Sequence, residues 1–224
     1  MWPEASCHIY KKILEYCQKK YGAVQDEDYP RIVLNSLSLK GFSETGVVSE
    51  QLVTSQLVQW VQMLQNAFCD HIIIACNTVN IYHEQMQASV YTPIINVVVE
   101  TTKMVKKGKH KKVWLLSSET TRDLWLYQDE LEKNGIECIT ADDDQQAIIT
   151  QVIKRVMGWI QDKSDICELG EIIENQKKKW ITAVVLGCTE LPLAITQDDI
   201  SLPEYNANDV LVHTVVDKMY KIDG

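Results

Sequence analysis

The chain has 224 residues, with 22 lysines and arginines against 31 aspartates and glutamates, so its formal net charge at pH 7 is −9. Nucleic acids and anionic membranes are bound by clustered positive charge, which this balance argues against. The longest apolar runs, at 72–76 and 183–188, are about one strand long, far below the roughly 20 residues that span a bilayer. Lysines interrupt the apolar positions of residues 1–20, so no signal peptide is predicted and we expect a cytoplasmic protein that acts on small molecules.

The apolar pattern alternates between helical stripes and short β-branched runs. A helix is predicted to begin at Pro3, followed by a strand at 31–36, a helix over 48–68 and a buried strand at 71–75. Further along, the pattern predicts strands at 94–97, 112–117, 136–140 and 182–187, and helices at 124–131, 145–160, 169–179 and 207–220. This alternation predicts an α/β fold with parallel sheets.

One motif occurs twice along the chain. The segments IIIACNT at 72–78 and VVLGCTE at 184–190 each join a buried strand to a cysteine and a polar residue, and the two cysteines are 112 positions apart. The repeat predicts two related lobes, one of residues 1–97 plus 207–224 and the other of residues 98–206. Ligands bind at the carboxyl ends of parallel strands, so both cysteines are expected to face one cleft between the lobes.

The seven cysteines form an odd set without CxxC spacing, so neither a disulfide framework nor a zinc site is predicted. Cys76 and Cys188 differ from the others because each follows a predicted strand and precedes a predicted helix. The helix dipole at such a turn is expected to favour the thiolate and to lower the thiol pKa toward neutrality. The simpler interpretation is a small buried side chain beside a helix cap.

Two thiols on opposite faces of a bound molecule could remove a proton from a stereogenic carbon and return one from behind. Three neighbours fit this chemistry, because Asn77, Thr78 and Thr189 stand at predicted helix N-termini, where hydroxyl, amide and backbone N–H groups bind carboxylates. The sequence therefore predicts a carboxylic-acid substrate.

Both cysteine motifs resemble those of a known family. The segments ACNT at 75–78 and LGCTELPL at 186–193 are similar to the paired signatures of the aspartate/glutamate racemase family, within the Asp/Glu/hydantoin racemase superfamily. Four further segments resemble the family in chain order: MWPEAS at 1–6, TPIINV at 92–97, LLSSETT at 115–121 and ADDDQQAI at 141–148. The resemblance implies two similar flavodoxin-like or Rossmann-like lobes with the active site in the cleft between them.

The resemblance also implies a role for each candidate site residue. Cys76 and Cys188 would be the catalytic acid and base in the racemisation of aspartate or glutamate. The residues implied to bind substrate are Asn77, Thr78 and Thr189 at the α-carboxylate, Ser118 and Thr121 at the wall of the pocket, and Glu190 near the ammonium group. The family is cofactor-independent and usually dimeric, so neither pyridoxal phosphate nor a metal is expected, and the partners expected are an amino acid and a second copy of the chain.

The chain departs from the family pattern at its start. Family members open with a strand and a Gly-Gly turn, whereas Met1 stands where the next segment begins, so the first strand is expected to be missing and its neighbours to have unpaired edges. Two alternatives to an active racemase remain open. One is an inactive homologue that binds a small carboxylate, and the other is a related isomerase or decarboxylase of the same superfamily.

Overall fold

The computed structural model describes residues 2–160 and 163–222. The first half of this part holds four helices and a small hairpin: α1 (Pro3–Tyr16), β1 (Phe42–Ser43), β2 (Gly46–Val47), α2 (Glu50–Asn66), α3 (His83–Ala88) and α4 (Val97–Lys107). The second half holds β3 (Lys112–Leu116), α5 (Glu119–Asp123), α6 (Leu126–Lys133), β4 (Glu137–Thr140), α7 (Asp143–Met157), α8 (Lys163–Gln176), β5 (Ala183–Leu186), α9 (Leu191–Ala194), β6 (Glu204–Asn206) and α10 (Ala207–Ile222). None of these helices is both long and apolar enough to cross a membrane.

The second half is built on a four-stranded sheet in the order β4-β3-β5-β6. All three pairings are parallel, and Val113 of β3 lies opposite Ala183 of β5. The two central strands are almost entirely apolar and buried because helices cover both of their faces. The predicted α/β fold with a parallel sheet is therefore confirmed.

Alternate residues of the central strands point to two separate hydrophobic clusters. Leu115 and Val185 face one side, where α1, α4, α6 and α10 pack on the sheet. Trp114 and Leu116 face the other side, against α7, α8 and α9. This three-layer packing fixes the carboxyl ends of β3 and β5 at one edge of the sheet, so the loops that follow them lie side by side.

The first half does not form the sheet that the sequence predicts. The strands expected at 31–36, 71–75 and 94–97 are reduced to one parallel bridge between Ile72 and Ile94. Two cavities of about 80 and 210 Å³ separate residues 31–35 from residues 69–75. The three strand predictions are wrong for a physical reason: a strand persists only when a neighbour pairs with it, and among the described residues of these three segments only Ile72 and Ile94 pair.

The predicted division at 97/98 and 206/207 stays a prediction. Residues on both sides of it share one hydrophobic cluster, because α10 packs against both α1 and α4. A second, smaller core lies between α2 and the segment 72–74, where Leu57 and Ile74 are almost fully buried. This smaller core supports the turn that carries Cys76.

Candidate active site

The turn after β5 holds Cys188 in a buried position. The backbone N–H of Gly187 donates to Leu116 O at 2.8 Å, which continues the sheet pairing one residue beyond the strand. A Cβ atom at position 187 would lie 2.8 Å from Leu115 Cδ1 and 3.0 Å from Tyr127 Cε2, so only glycine fits. Cys188 follows directly and is 5% exposed.

The turn that carries Cys76 is held by a side-chain amide. Asn80 donates from Nδ2 to Cys76 O at 2.9 Å and to Asn77 O at 3.2 Å. The chain then enters a 3-10 helix over Thr78–Tyr82, and the backbone N–H of Val79 hydrogen-bonds to the Cys76 sulfur. The Asn80 side chain therefore fixes the orientation of the turn that carries Cys76.

Both cysteines line one enclosed cavity of about 10 Å³, which has room for about one water molecule. The residues that line it are Trp2, Glu44, Ala75, Cys76, Asn77, Thr78, Cys188, Thr189 and Glu190. Six of the eight residues implied by the sequence thus lie together: the two thiols, Asn77, Thr78, Thr189 and Glu190. The repeated strand-to-cysteine motif predicts five of them, and the family resemblance adds Glu190.

Ser118 and Thr121 do not line this cavity. Their hydroxyl groups lie behind Thr78, whose Oγ1 is 3.2 Å from Ser118 Oγ and 2.6 Å from Thr121 Oγ1. Ser118 also caps α5 by accepting from the Thr121 backbone N–H at 3.3 Å. Ser118 and Thr121 therefore position Thr78 from the β3 side. The predicted contact of Ser118 and Thr121 with substrate stays a prediction.

Glu44 is a cavity residue that the sequence analysis missed. It belongs to the turn between β1 and β2, a polar loop that matches no motif used above. Thr120 anchors this hairpin: its backbone N–H donates to Glu44 O at 3.2 Å and its Oγ1 donates to Ser43 O at 3.2 Å. Burial and the nearby Glu190 raise the pKa of the Glu44 carboxyl to about 7.

The sequence analysis also missed Tyr127 of α6, which contacts a residue of the cavity wall. Its hydroxyl donates to Asn77 Oδ1 at 2.5 Å, and the whole side chain is buried. The two residues are 50 positions apart, so no local pattern in the sequence could join them. Burial raises the pKa of this phenol, which keeps it a hydrogen-bond donor.

The expected thiolate is corrected by the structure. Burial, together with the Glu44 carboxylate, raises the pKa of Cys76 to about 12. Burial and the carboxylates of Glu190 and Glu44 raise the pKa of Cys188 well above its ordinary value. The helix dipole does not lower the pKa of Cys188, because α9, the helix after it, is only one turn long. Desolvation and two nearby carboxylates outweigh the dipole of so short a helix.

A carboxylate stands within reach of the second thiol. Cys188 Sγ donates to Glu190 Oε2 at 3.0 Å, and Thr189 Oγ1 donates to the same oxygen at 2.8 Å. Asn208 steadies this turn by donating from Nδ2 to Thr189 O at 3.1 Å. Glu190 is therefore placed to accept the proton of the Cys188 thiol if a positively charged group enters the cavity.

The fold and the site together define an α/β protein with two thiols and two carboxylates in one closed cavity, an arrangement suited to proton transfer. No His, Cys, Asp and Glu group that could hold a metal ion occurs among residues 2–160 and 163–222. The chain belongs to the Asp/Glu/hydantoin racemase family, whose model matches residues 1–215. The family resemblance of the two cysteine motifs is thereby confirmed.

Individual relatives agree with this assignment. The chain is 25% identical over 218 residues to the broad specificity amino-acid racemase RacX of Bacillus subtilis, which covers 96% of this chain and 93% of the relative. An aspartate racemase homologue from Pyrococcus horikoshii OT3 has a similar fold, with a TM-score of 0.84, 24% identity and coverage of 97% and 95% of the two chains. Picrophilus torridus aspartate racemase superposes with a TM-score of 0.75 at 23% identity, over 94% of this chain and 88% of that one.

Proposed function

We propose that this chain is an amino-acid racemase that works without pyridoxal phosphate and uses Cys76 and Cys188 on opposite faces of the substrate α-carbon. The observation that carries the proposal is the shared cavity: two cysteines 112 positions apart, each at the end of an apolar segment, line the same enclosed space. Membership in a family of amino-acid racemases supports the same reaction class.

The first step creates the base. Both thiols are neutral in the closed cavity, since burial and the carboxylates raise their pKa values. A bound amino acid brings an α-ammonium group, whose positive charge favours ionised neighbours. The Cys188 proton then passes to Glu190 Oε2, with which the thiol already forms a hydrogen bond, and a thiolate remains.

The second step inverts the α-carbon. The Cys188 thiolate takes the α-proton from its own face, and the electron pair of the broken C–H bond stays on the substrate as a carbanion. The Cys76 thiol donates its proton to the opposite face, so a C–H bond forms and Cys76 becomes the thiolate. When the product leaves, the proton held by Glu190 passes to the Cys76 thiolate, so both thiols are neutral again and no proton is gained or lost in the cycle. In the reverse direction the two thiols exchange roles.

The carbanion is stabilised through the α-carboxylate, which takes up negative charge as the proton leaves. Asn77, Thr78 and Thr189 line the cavity with neutral polar groups for this carboxylate, of which the Thr189 hydroxyl already donates to Glu190 Oε2. Exclusion of water strengthens these interactions, because the effective dielectric constant inside the closed site is low. The side chain of the substrate is not specified by these contacts, and aspartate and glutamate stay predictions from the family resemblance.

The test is racemisation by single alanine variants of the two thiols. We expect Cys76→Ala and Cys188→Ala each to abolish interconversion in both directions, because every turnover needs one acid and one base. Cys138→Ala is the matched control, since burial also raises the pKa of the Cys138 thiol to about 12 but this residue lies on β4, outside the cavity. Racemisation retained by either cavity variant, or lost equally in the control, would overturn the proposal.

A further inference from the structure

The described side chains that line the cavity offer charge of one sign only. Two carboxylates, from Glu44 and Glu190, line it together with the thiols and neutral polar groups, and no lysine, arginine or histidine occurs among the described residues that line it. A side-chain carboxylate of a bound amino acid would therefore meet the Glu190 carboxylate and, above the Glu44 pKa of about 7, a second negative charge, with no described cationic side chain to balance them.

The two carboxylates are not equivalent. Glu190 already accepts hydrogen bonds from Cys188 and Thr189. Both carboxylates raise the pKa of the Cys76 thiol, and the effect of Glu44 is the larger. No described residue donates a hydrogen bond to the Glu44 carboxyl, so this group is available for a positively charged ligand atom.

The backbone of the turn that carries Glu44 has a fixed support. Thr120 of α5 holds this hairpin turn through one backbone and one side-chain hydrogen bond. These bonds place the backbone of Glu44 at the cavity wall in the free protein, and the residue lines the cavity there.

We propose that Glu44 determines substrate specificity, by pairing with the α-ammonium group and by excluding amino acids that carry a side-chain carboxylate. The substrate class is then an amino acid with a neutral or basic side chain, rather than aspartate or glutamate. The inference rests on the proposed racemase function and adds to it the charge of the substrate.

The experiment compares isosteric substrates that differ only in charge. The α-proton exchange of glutamine and glutamate, and of asparagine and aspartate, is measured as kcat/KM for wild type, Glu44→Gln and Glu50→Gln. Glu50 is the matched control, because it is an exposed glutamate at the start of α2 and does not line the cavity. We expect wild type to prefer each amide over its acid by about tenfold or more, since a like charge at close range is strongly unfavourable.

Glu44→Gln should reduce this preference by about tenfold, mainly by lowering KM for the acids, whereas Glu50→Gln should leave it unchanged. A wild type that prefers glutamate or aspartate, or an amide-to-acid ratio that Glu44→Gln does not change, would overturn the specificity role while leaving racemisation intact. If wild type exchanges no α-proton of these four amino acids or of lysine, the proposed function fails. Calorimetric titration of wild type with glutamine and glutamate then tests the inference alone: tighter binding of glutamine supports it, and equal or tighter binding of glutamate contradicts it.

Discussion

Tyr127 donates its hydroxyl hydrogen to Asn77 Oδ1 across 2.5 Å, and so ties α6 to the turn that carries Cys76. With its oxygen held, the Asn77 amide keeps its NH₂ group as the donor that remains for the cavity. Thr78, the next residue, is held by Ser118 and Thr121 from the same side. The first thiol turn is thus positioned by groups that follow β3 in the chain.

Tyr127→Phe should weaken the site more than the fold. Loss of the hydroxyl leaves Asn77 Oδ1 buried without this donor, a cost of about 1 to 3 kcal/mol in the free energy of unfolding. The Asn77 amide can then rotate, and we expect kcat/KM for racemisation to fall by about tenfold or more. The measurement pairs urea unfolding with turnover.

The control for this variant is Tyr29→Phe, which removes a hydroxyl that donates to Ala23 O at 3.1 Å, away from the cavity. It should leave turnover unchanged. If Tyr127→Phe keeps full activity, the amide of Asn77 has no positioning role in the reaction.

Gly187→Ala is expected to displace the second thiol. The new Cβ would lie 2.8 Å from Leu115 Cδ1, closer than side-chain atoms pack, and both neighbours are buried in the core. We predict a loss of about 1 to 3 kcal/mol in the free energy of unfolding and strongly reduced racemisation.

Gly170→Ala in α8 is the matched control, because no atom lies within 4 Å of a Cβ there. It should stabilise the protein by about 0.5 to 1 kcal/mol. Equal effects of the two substitutions would contradict the packing seen at Gly187.

Glu44 should make stability depend on pH in the free protein. Its pKa is about 7 in the folded chain and 4.5 ordinarily, so between these values the folded state holds a proton that the unfolded state has released. The free energy of unfolding contributed by this group therefore falls as the pH rises from 4.5 to 7. From pH 5 to pH 7, wild type should lose about 1 to 3 kcal/mol more than Glu44→Gln.

Urea unfolding at pH 5, 6 and 7 measures this difference, with Glu50→Gln as the exposed control. Glu204, whose pKa is also raised to about 7 by burial, adds the same trend to every variant and cancels in the comparison. Parallel pH profiles for wild type and Glu44→Gln would show that Glu44 is not buried against Glu190 in solution.

The cavity as found has room for about one water molecule, so an amino acid enters only if part of the wall moves. The β1–β2 hairpin forms part of this wall through Glu44, and Thr120 holds it by two hydrogen bonds. Thr120→Val removes the hydroxyl that donates to Ser43 O, and we expect amide hydrogen exchange in residues 42–47 to become about fivefold faster. Thr182→Val, which removes a similar hydroxyl bond to Lys112 O, should leave exchange in this hairpin unchanged. Unchanged exchange in Thr120→Val would mean that another segment opens the cavity.

The parts of the fold that the sequence predicts well are those decided by local patterns. Residues 182–187 were predicted as a buried strand from their β-branched run, and the structure places β5 there over Ala183–Leu186. The equally apolar segment 71–75 was also predicted as a strand, wrongly, because strand formation depends on a neighbour that a local pattern does not contain. The same limit applies to residues 31–36.

The site residues likewise fall into those that local motifs predict and those that long-range contacts bring together. The two thiols and the residues beside them were found because they stand in repeated local motifs. Glu44 and Tyr127 reach the cavity region through contacts with distant parts of the chain, and the thiol pKa values follow from those contacts rather than from the turns. The homodimer and the cytoplasmic location predicted from the sequence stay predictions.

The most direct test of the two-thiol mechanism is deuterium incorporation at the α-carbon in heavy water, followed for L and D enantiomers separately. The probes are glutamine, lysine, glutamate and aspartate, and the proteins are wild type, Cys76→Ser and Cys188→Ser. Wild type should exchange both enantiomers of its substrate. Each serine variant should exchange only the enantiomer whose α-proton faces the surviving thiol, so the two variants should have opposite preferences. Wild type that binds an amino acid without exchanging its α-proton, or a serine variant that exchanges both enantiomers equally, would contradict the assignment of one thiol to each face.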